Sequence, residues 1–196
     1  YGYGVKGIGQ EVDGNHLFAR AQDSLAIDNP SAMGNGDYLL VGHNNAGYST
    51  TTATGPRAIE RWNQVWRADI TGTPGTVDLE FFLGSNGFAP TSNYVVLIET
   101  ADGDFTNGGT STHEFGRSYD PLKNSIKFSN VNLVDGAYFT LAEVHGPATS
   151  VRNGNWGDQN TWSCECVPTL DDIVITQHDV TIQNNQSALD LHIESN

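Results

Sequence analysis

Apolar and polar positions alternate along much of the chain with a period of two, which is the pattern of half-buried β-strands. Residues 76–83 (TVDLEFFL) set Val77, Leu79 and Phe81 on one face against Asp78 and Glu80 on the other. Residues 37–43 (DYLLVGH) form a short apolar strand, and 94–99 (YVVLIE) read as a strand buried on both faces. Further strands are expected at 125–128, 131–133 and 137–144. Turn chemistry separates them at Gly34-Asn35-Gly36, Gly72-Thr73-Pro74-Gly75, Gly84-Ser85-Asn86-Gly87, Asp102-Gly103 and Asp135-Gly136. Short strands punctuated this way predict a sandwich rather than βαβ units.

Residues 58–70 (AIERWNQVWRADI) fit two periods. Ile59, Trp62 and Trp66 make a helical stripe, while Trp62, Trp66, Ala68 and Ile70 share one face of a strand, with Gln64 the odd member. A long strand is favoured, because Trp suits strands and no N-capping residue directly precedes Ala58. After His145-Gly146-Pro147 the pattern changes. Residues 172–182 and 188–193 alternate like successive rungs of a stacked β structure, and such a stack needs about three units to bury its own faces. The reading is all-β: an antiparallel, jelly-roll-like β-sandwich over 1–146, then a short stacked-strand segment over 147–196 resembling the start of a β-solenoid. That second module is expected to be only begun within these residues.

Composition narrows the function. Nine Lys+Arg against 23 Asp+Glu give a net charge of −14, which repels nucleic acid and anionic membranes. No apolar run reaches the roughly 20 residues of a membrane helix, so membrane insertion is not expected. Tyr1-Gly2-Tyr3-Gly4 is neither basic nor apolar, so no leader is read there. Past Arg152 the chain carries seven acids and no Lys or Arg. Neutral sugars and cations remain suitable ligands.

Residues 153–175 hold a dense pattern: Asn153-Gly154-Asn155-Trp156, Asp158, Thr161-Trp162-Ser163, Val167-Pro168 and Asp171-Asp172-Ile173-Val174-Ile175. It resembles a recurring element of large secreted surface proteins of the Bacteroidota, many of them adhesin-like cargo of type IX secretion. Upstream, Gly7-Ile8-Gly9, the stretches 36–44, 61–67 and 71–77, Asp102-Gly103-Asp104-Phe105 and 135–141 follow the order of a companion domain in those proteins. The resemblance implies a β-sandwich in an extracellular or cell-surface setting, no catalytic role, and tryptophans that cap the first rungs of a solenoid.

Several residues invite a site. Asp102, Asp104 and Asn107 cluster oxygens on a tight loop, and calcium is the one cofactor to which the sequence points; a plain Asp-Gly turn is the alternative. Trp62, Trp66, Trp156 and Trp162 would stack sugars if exposed, and are core residues otherwise. Cys164 and Cys166 leave open a local or intermolecular disulfide, two free thiols, or a metal site lacking further cysteines. Ser24 and Asn185 lie in short glycosylation patterns. The segment Gly2–Gly7 spells G-x-G-x-x-G without the strand and helix a nucleotide site needs. His113-Glu114 lacks the second histidine of a zinc-protease motif, and the six histidines are scattered. The expected function is a non-catalytic structural or adhesive domain of a bacterial surface protein, a fibre subunit in one form, whose partner is itself through strand addition at an open edge. The alternative is a carbohydrate-binding module taking neutral glycans, with a glycoside-active enzyme third.

Overall fold

The computed structural model describes residues 1–20, 24–55, 58–84, 93–144, 146–169 and 172–194. Residues 85–87 of one expected turn, His145 and Asp171 lie outside them. The chain divides into two compact units, Tyr1–Glu143 and Val144–Asn196. Among the described residues no helix is long and apolar enough to cross a membrane.

The first unit is an antiparallel β-sandwich. Its strands are β1 (Tyr3–Glu11), β2 (Gly14–His16), β3 (Phe18–Arg20), β4 (Leu25–Asp28), β5 (Tyr38–His43), β6 (Thr50–Thr51), β7 (Ala58–Trp62), β8 (Trp66–Thr71), β9 (Val77–Phe82), β10 (Asn93–Glu99), β11 (Thr110–His113), β12 (Ser118–Asp120), β13 (Ser125–Val131) and β14 (Tyr138–Val144). One sheet runs β11-β10-β14-β8-β5-β1-β2, with β7 joined to β14 and β6; the other runs β12-β13-β9-β4-β3. Period-two patterning places Ile8, Leu39, Val41, Trp62 and Trp66 of the first sheet against Leu25, Ile27, Leu79, Phe81 and Phe128 of the second. Aromatic rings fill the centre. Trp66 meets Phe81 edge to face at 5.5 Å and stacks on Phe139 at 5.9 Å.

Two expectations are corrected. Residues 58–70 are not one long strand: β7 and β8 are broken by Asn63, Gln64 and Val65. The break is held from elsewhere. Thr140 Oγ1 donates to the carbonyls of Trp62 and Gln64, and Asn44 Oδ1 accepts from the Val65 N–H at 3.1 Å. Gln64 is buried because its Oε1 accepts from the Gly47 N–H at 3.0 Å. Residues 125–128 and 131–133 are not two strands: β13 runs through Val131 over an irregularity at 128–131, where Asn130 takes φ 57°. The polar face of β9 is also less open than alternation predicts. Asp78 is buried, with Lys127 Nζ at 3.0 Å and the Asn130 N–H donating at 3.0 Å. At the 72–75 turn only glycine fits residue 72, whose φ is +76° and whose Cβ would fall 1.8 Å from Asp37 Oδ1.

The second unit is a parallel stack. It comprises β15 (Ala148–Thr149), β16 (Gly154–Asn155), a 3₁₀ turn (Gln159–Thr161), β17 (Ile173–Thr176), β18 (Val180–Thr181) and β19 (Asp190–Ile193). One ladder runs β15-β17-β19 and the other pairs β16 with β18. The expected strand over 172–182 is thus two, β17 and β18. Ala148 pairs with Val174 and Gly154 with Val180, a step of 26 residues in each ladder; Ile173 pairs with Asp190, a step of 17. The extra residues of the first step are the loop rich in Trp and Cys.

Candidate functional site

The first rung of the stack is closed by its own loop. Residues 161–163 run antiparallel along β15, with a bridge between Ser150 and Trp162. The Ser163 N–H donates to the Thr149 carbonyl at 2.8 Å and the Val151 N–H to the Thr161 carbonyl at 2.9 Å. The Thr149 N–H donates to Ser163 Oγ at 3.1 Å. Several parts of the dense motif have a bond to make. Asn153 Oδ1 accepts from the Asp179 N–H on the next rung at 3.1 Å. A Cβ at Gly154 would sit 2.3 Å from Thr161 Oγ1, so only glycine lets the loop close. Thr161 Oγ1 donates to the Asn155 carbonyl at 3.0 Å, and Asp158 Oδ1 accepts from the Asn160 N–H at 2.9 Å to cap the 3₁₀ turn. Trp156 and Trp162 pack with Ala148 and Val174 as a separate small core.

Among the described residues nothing pairs with the outer edge of β19 at the other end of the stack. Ala148, Val174 and Leu191 stand in register one above the next. Ala148 and Val174 are buried, but Leu191 is 43 % exposed and Ile193 79 %. β19 is terminal in its ladder, and β18 has no third-rung partner among the described residues. Between the two ladders lies a groove of about 240 Å³, where Trp156, Val180, Ile182, Leu191 and Ile193 meet the polar Thr176, His178 and Asp179.

The residues singled out in the sequence fall elsewhere. Trp62, Trp66, Trp156 and Trp162 are 0, 0, 3 and 1 % exposed. They are core residues and offer no ring face to a sugar, which corrects the sugar-stacking expectation. Asp102, Asp104 and Asn107 serve their own loop. Asp102 Oδ1 accepts from the Asp104 N–H and from Asn107 Nδ2, Asp104 Oδ1 from Thr106, and Asn107 Oδ1 from the Gly109 N–H. Asn107 thus turns its amide nitrogen, not its oxygen, toward Asp102, and these oxygens serve the N–H groups of their own loop. Among the described residues no three His, Cys, Asp or Glu side chains are grouped to hold a metal. The organising group of this loop is Glu99, which pattern reading missed. It is fully buried, and its carboxylate accepts from the N–H groups of Ala101, Asp102 and Gly103. The signal was an acid ending an apolar strand just before an Asp-Gly turn.

Cys164 and Cys166 form a disulfide within the capping loop. Ser24 is buried, so its hydroxyl is not presented for glycosylation; Asn185 is exposed in the loop between β18 and β19.

The model of a family described as a domain of unknown function, DUF8202, matches residues 8–137. The chain belongs to this family. The DUF8202 match lies wholly within the sandwich unit and stops short of the stack. No curated protein and no solved structure matches the chain.

Proposed function

We propose that this DUF8202 chain is a non-catalytic structural module of an extracellular or cell-surface bacterial protein, in which the second unit begins a parallel β-stack that takes on further rungs at β19. The observation that carries this reading is the inequality of the two ends of the stack. The β15 edge is bonded by 161–163, whereas among the described residues β19 has no partner on its outer edge, beside exposed Leu191 and Ile193. The occupant that fits is a parallel strand patterned like Ile173–Thr176, which would set its Val174 equivalent on Leu191 and continue the register. Because β15 is already covered, the partner is not the β15 edge of a second copy. The disulfide and the acidic, turn-rich composition favour an oxidising exterior. A non-catalytic role is favoured because the buried carboxylates Glu99 and Asp78 are each saturated by hydrogen-bond donors.

A labelled peptide covering residues 172–194 tests this, titrated into the chain at half-molar salt to screen the shared negative charge. Saturable binding, weakened at least tenfold by Leu191→Lys in the chain, supports the reading. A soluble peptide that does not bind at millimolar concentration overturns it.

A further inference from the structure

The sandwich holds a second feature that the structural reading does not use and does not depend on. At one end, β1, β3, β5 and residues 44–48 enclose a cleft of about 540 Å³ lined by Lys6, Arg20, Ser24, His43, Asn45 and Gln64 among others. In a chain with 23 acids, none of the described residues lining it is acidic. Lys6 lies on the same strand face as the core residue Ile8 and pairs with Val41, so its stem enters between the sheets. Its Nζ is shielded from solvent and has no hydrogen-bond partner. Burial alone pushes the Lys6 ammonium down to about 8. Buried cations are ordinarily paired, and a fold that keeps one unpaired marks a place where its partner comes from outside.

The other lining groups define that partner. Arg20, laid 3.9 Å over the Phe82 ring, adds a guanidinium. His43 Nδ1 receives the Asn45 N–H at 3.0 Å, which leaves the proton on Nε2. Burial and the Lys6 charge hold the His43 imidazole below its usual range, so near neutral pH it is an uncharged donor. Gly4 lies against that ring at φ +54°, where a Cβ would come 2.5 Å from Nε2. Ser24, Asn45 and Gln64 supply neutral polar groups and Tyr48 an aromatic wall. One buried ammonium and one guanidinium suit a single carboxylate, whereas a polyanion would meet the field of the whole −14 chain. Neutral polar groups beside an aromatic ring suit hydroxyls.

We propose that this cleft binds the carboxylate of a small hydroxylated acid, the chemistry of an acidic sugar, with Lys6 and Arg20 holding the carboxylate and His43, Asn45 and Gln64 the hydroxyls. The four-carbon stem of Lys6 supplies the short movement its ammonium needs to reach the ligand.

Calorimetric titration of the chain with sodium glucuronate, glucose and sodium acetate at pH 7 and low salt tests this. Glucuronate is expected to saturate in the millimolar range or tighter, acetate to bind at least fivefold more weakly, and glucose not to saturate. Acetate binding as tightly as glucuronate would overturn the hydroxyl assignment, and glucose matching glucuronate would overturn the carboxylate assignment. Lys6→Met should weaken glucuronate at least tenfold while raising the melting temperature, because it removes an unpaired buried charge. Arg20→Gln, at an exposed position, keeps the test decisive if Lys6→Met does not fold, and should weaken binding several-fold. Lys123→Met, on a lysine paired with Glu80, should change nothing. Unchanged affinity in both cleft variants, or equal weakening by Lys123→Met, would each overturn the proposal.

Discussion

Trp162 donates its indole N–H to the main-chain carbonyl of Trp156 at 2.9 Å, and the two rings meet edge to face with centroids 5.1 Å apart. The Trp156 indole in turn donates to the Pro168 carbonyl at 3.4 Å. These bonds tie the capping loop across the first rung. They explain why so much of the aromatic content of the tail sits in one short stretch: the unit has a very small core, and two indoles supply most of its buried surface.

Trp162→Phe keeps most of the ring but leaves the Trp156 carbonyl without its donor, and should cost the second unit about 1–2 kcal/mol. Trp162→Ala opens a cavity and should cost about 3–5 kcal/mol. Hydrogen exchange resolved by residue should show faster opening over 148–193 in both variants, with the sandwich unchanged.

Glu99 holds the 101–103 turn by three backbone N–H groups. Glu99→Gln replaces one accepting oxygen by a donor that faces another donor, and should destabilise the sandwich by about 1–3 kcal/mol. Denaturant unfolding measures it. Millimolar calcium should leave the midpoint of the parent chain unchanged, because the carboxylates of this loop already serve their own N–H groups.

Asp78 gives the sandwich an acid-sensitive term. Burial pushes its carboxyl up, but Lys127, the Asn130 N–H and Asn29 outweigh burial and hold it below the usual carboxylate value. A carboxylate with a depressed folded-state value stabilises above its unfolded value near 4 and loses that contribution as pH falls through the folded value. Asp78→Asn should therefore melt well below the parent at pH 6, by a margin that narrows as the pH falls below 4.

Lys6 works in the opposite direction. Its folded-state value of about 8 lies below the ordinary lysine value of 10.5, so between those values the unfolded chain binds more protons than the folded one. Stability of the parent should rise with pH across that window. His43 and Arg20 line the same cleft, and among its described lining residues no acid offers a compensating charge. Lys6→Met should melt above the parent at pH 7 by the equivalent of about 1–3 kcal/mol, and the difference should shrink toward zero by pH 10.5. Parallel melting curves at both pH values would contradict it.

Much of the sandwich was legible because a period of two survives burial. Val77, Leu79 and Phe81 face inward as their spacing requires, and Trp62 and Trp66 share a face for the same reason. What failed depended on distant partners. The break at 63–65 is set by Thr140 and Asn44, which no local pattern announces. Alternation in 172–193 revealed strands and the short step between the last two rungs, but the 26-residue first step comes from how the loop folds back on β15. The site residues were the least legible. Tryptophan and aspartate attract attention by type, and here they serve the core and a turn. Lys6 and Glu99 matter because of what surrounds them, a buried place without an acceptor for one and three converging N–H groups for the other.

The most direct test of the central claim, a β-stack closed at its first rung and open at its last, is amide hydrogen exchange of the chain alone, resolved along both edges. The account predicts strong protection for Thr149, Val151 and Ser163 and weak protection for the outward amides of Asp190–Ile193. Equal protection at the two edges, or a protected β19 beside an exchanging β15, would contradict it.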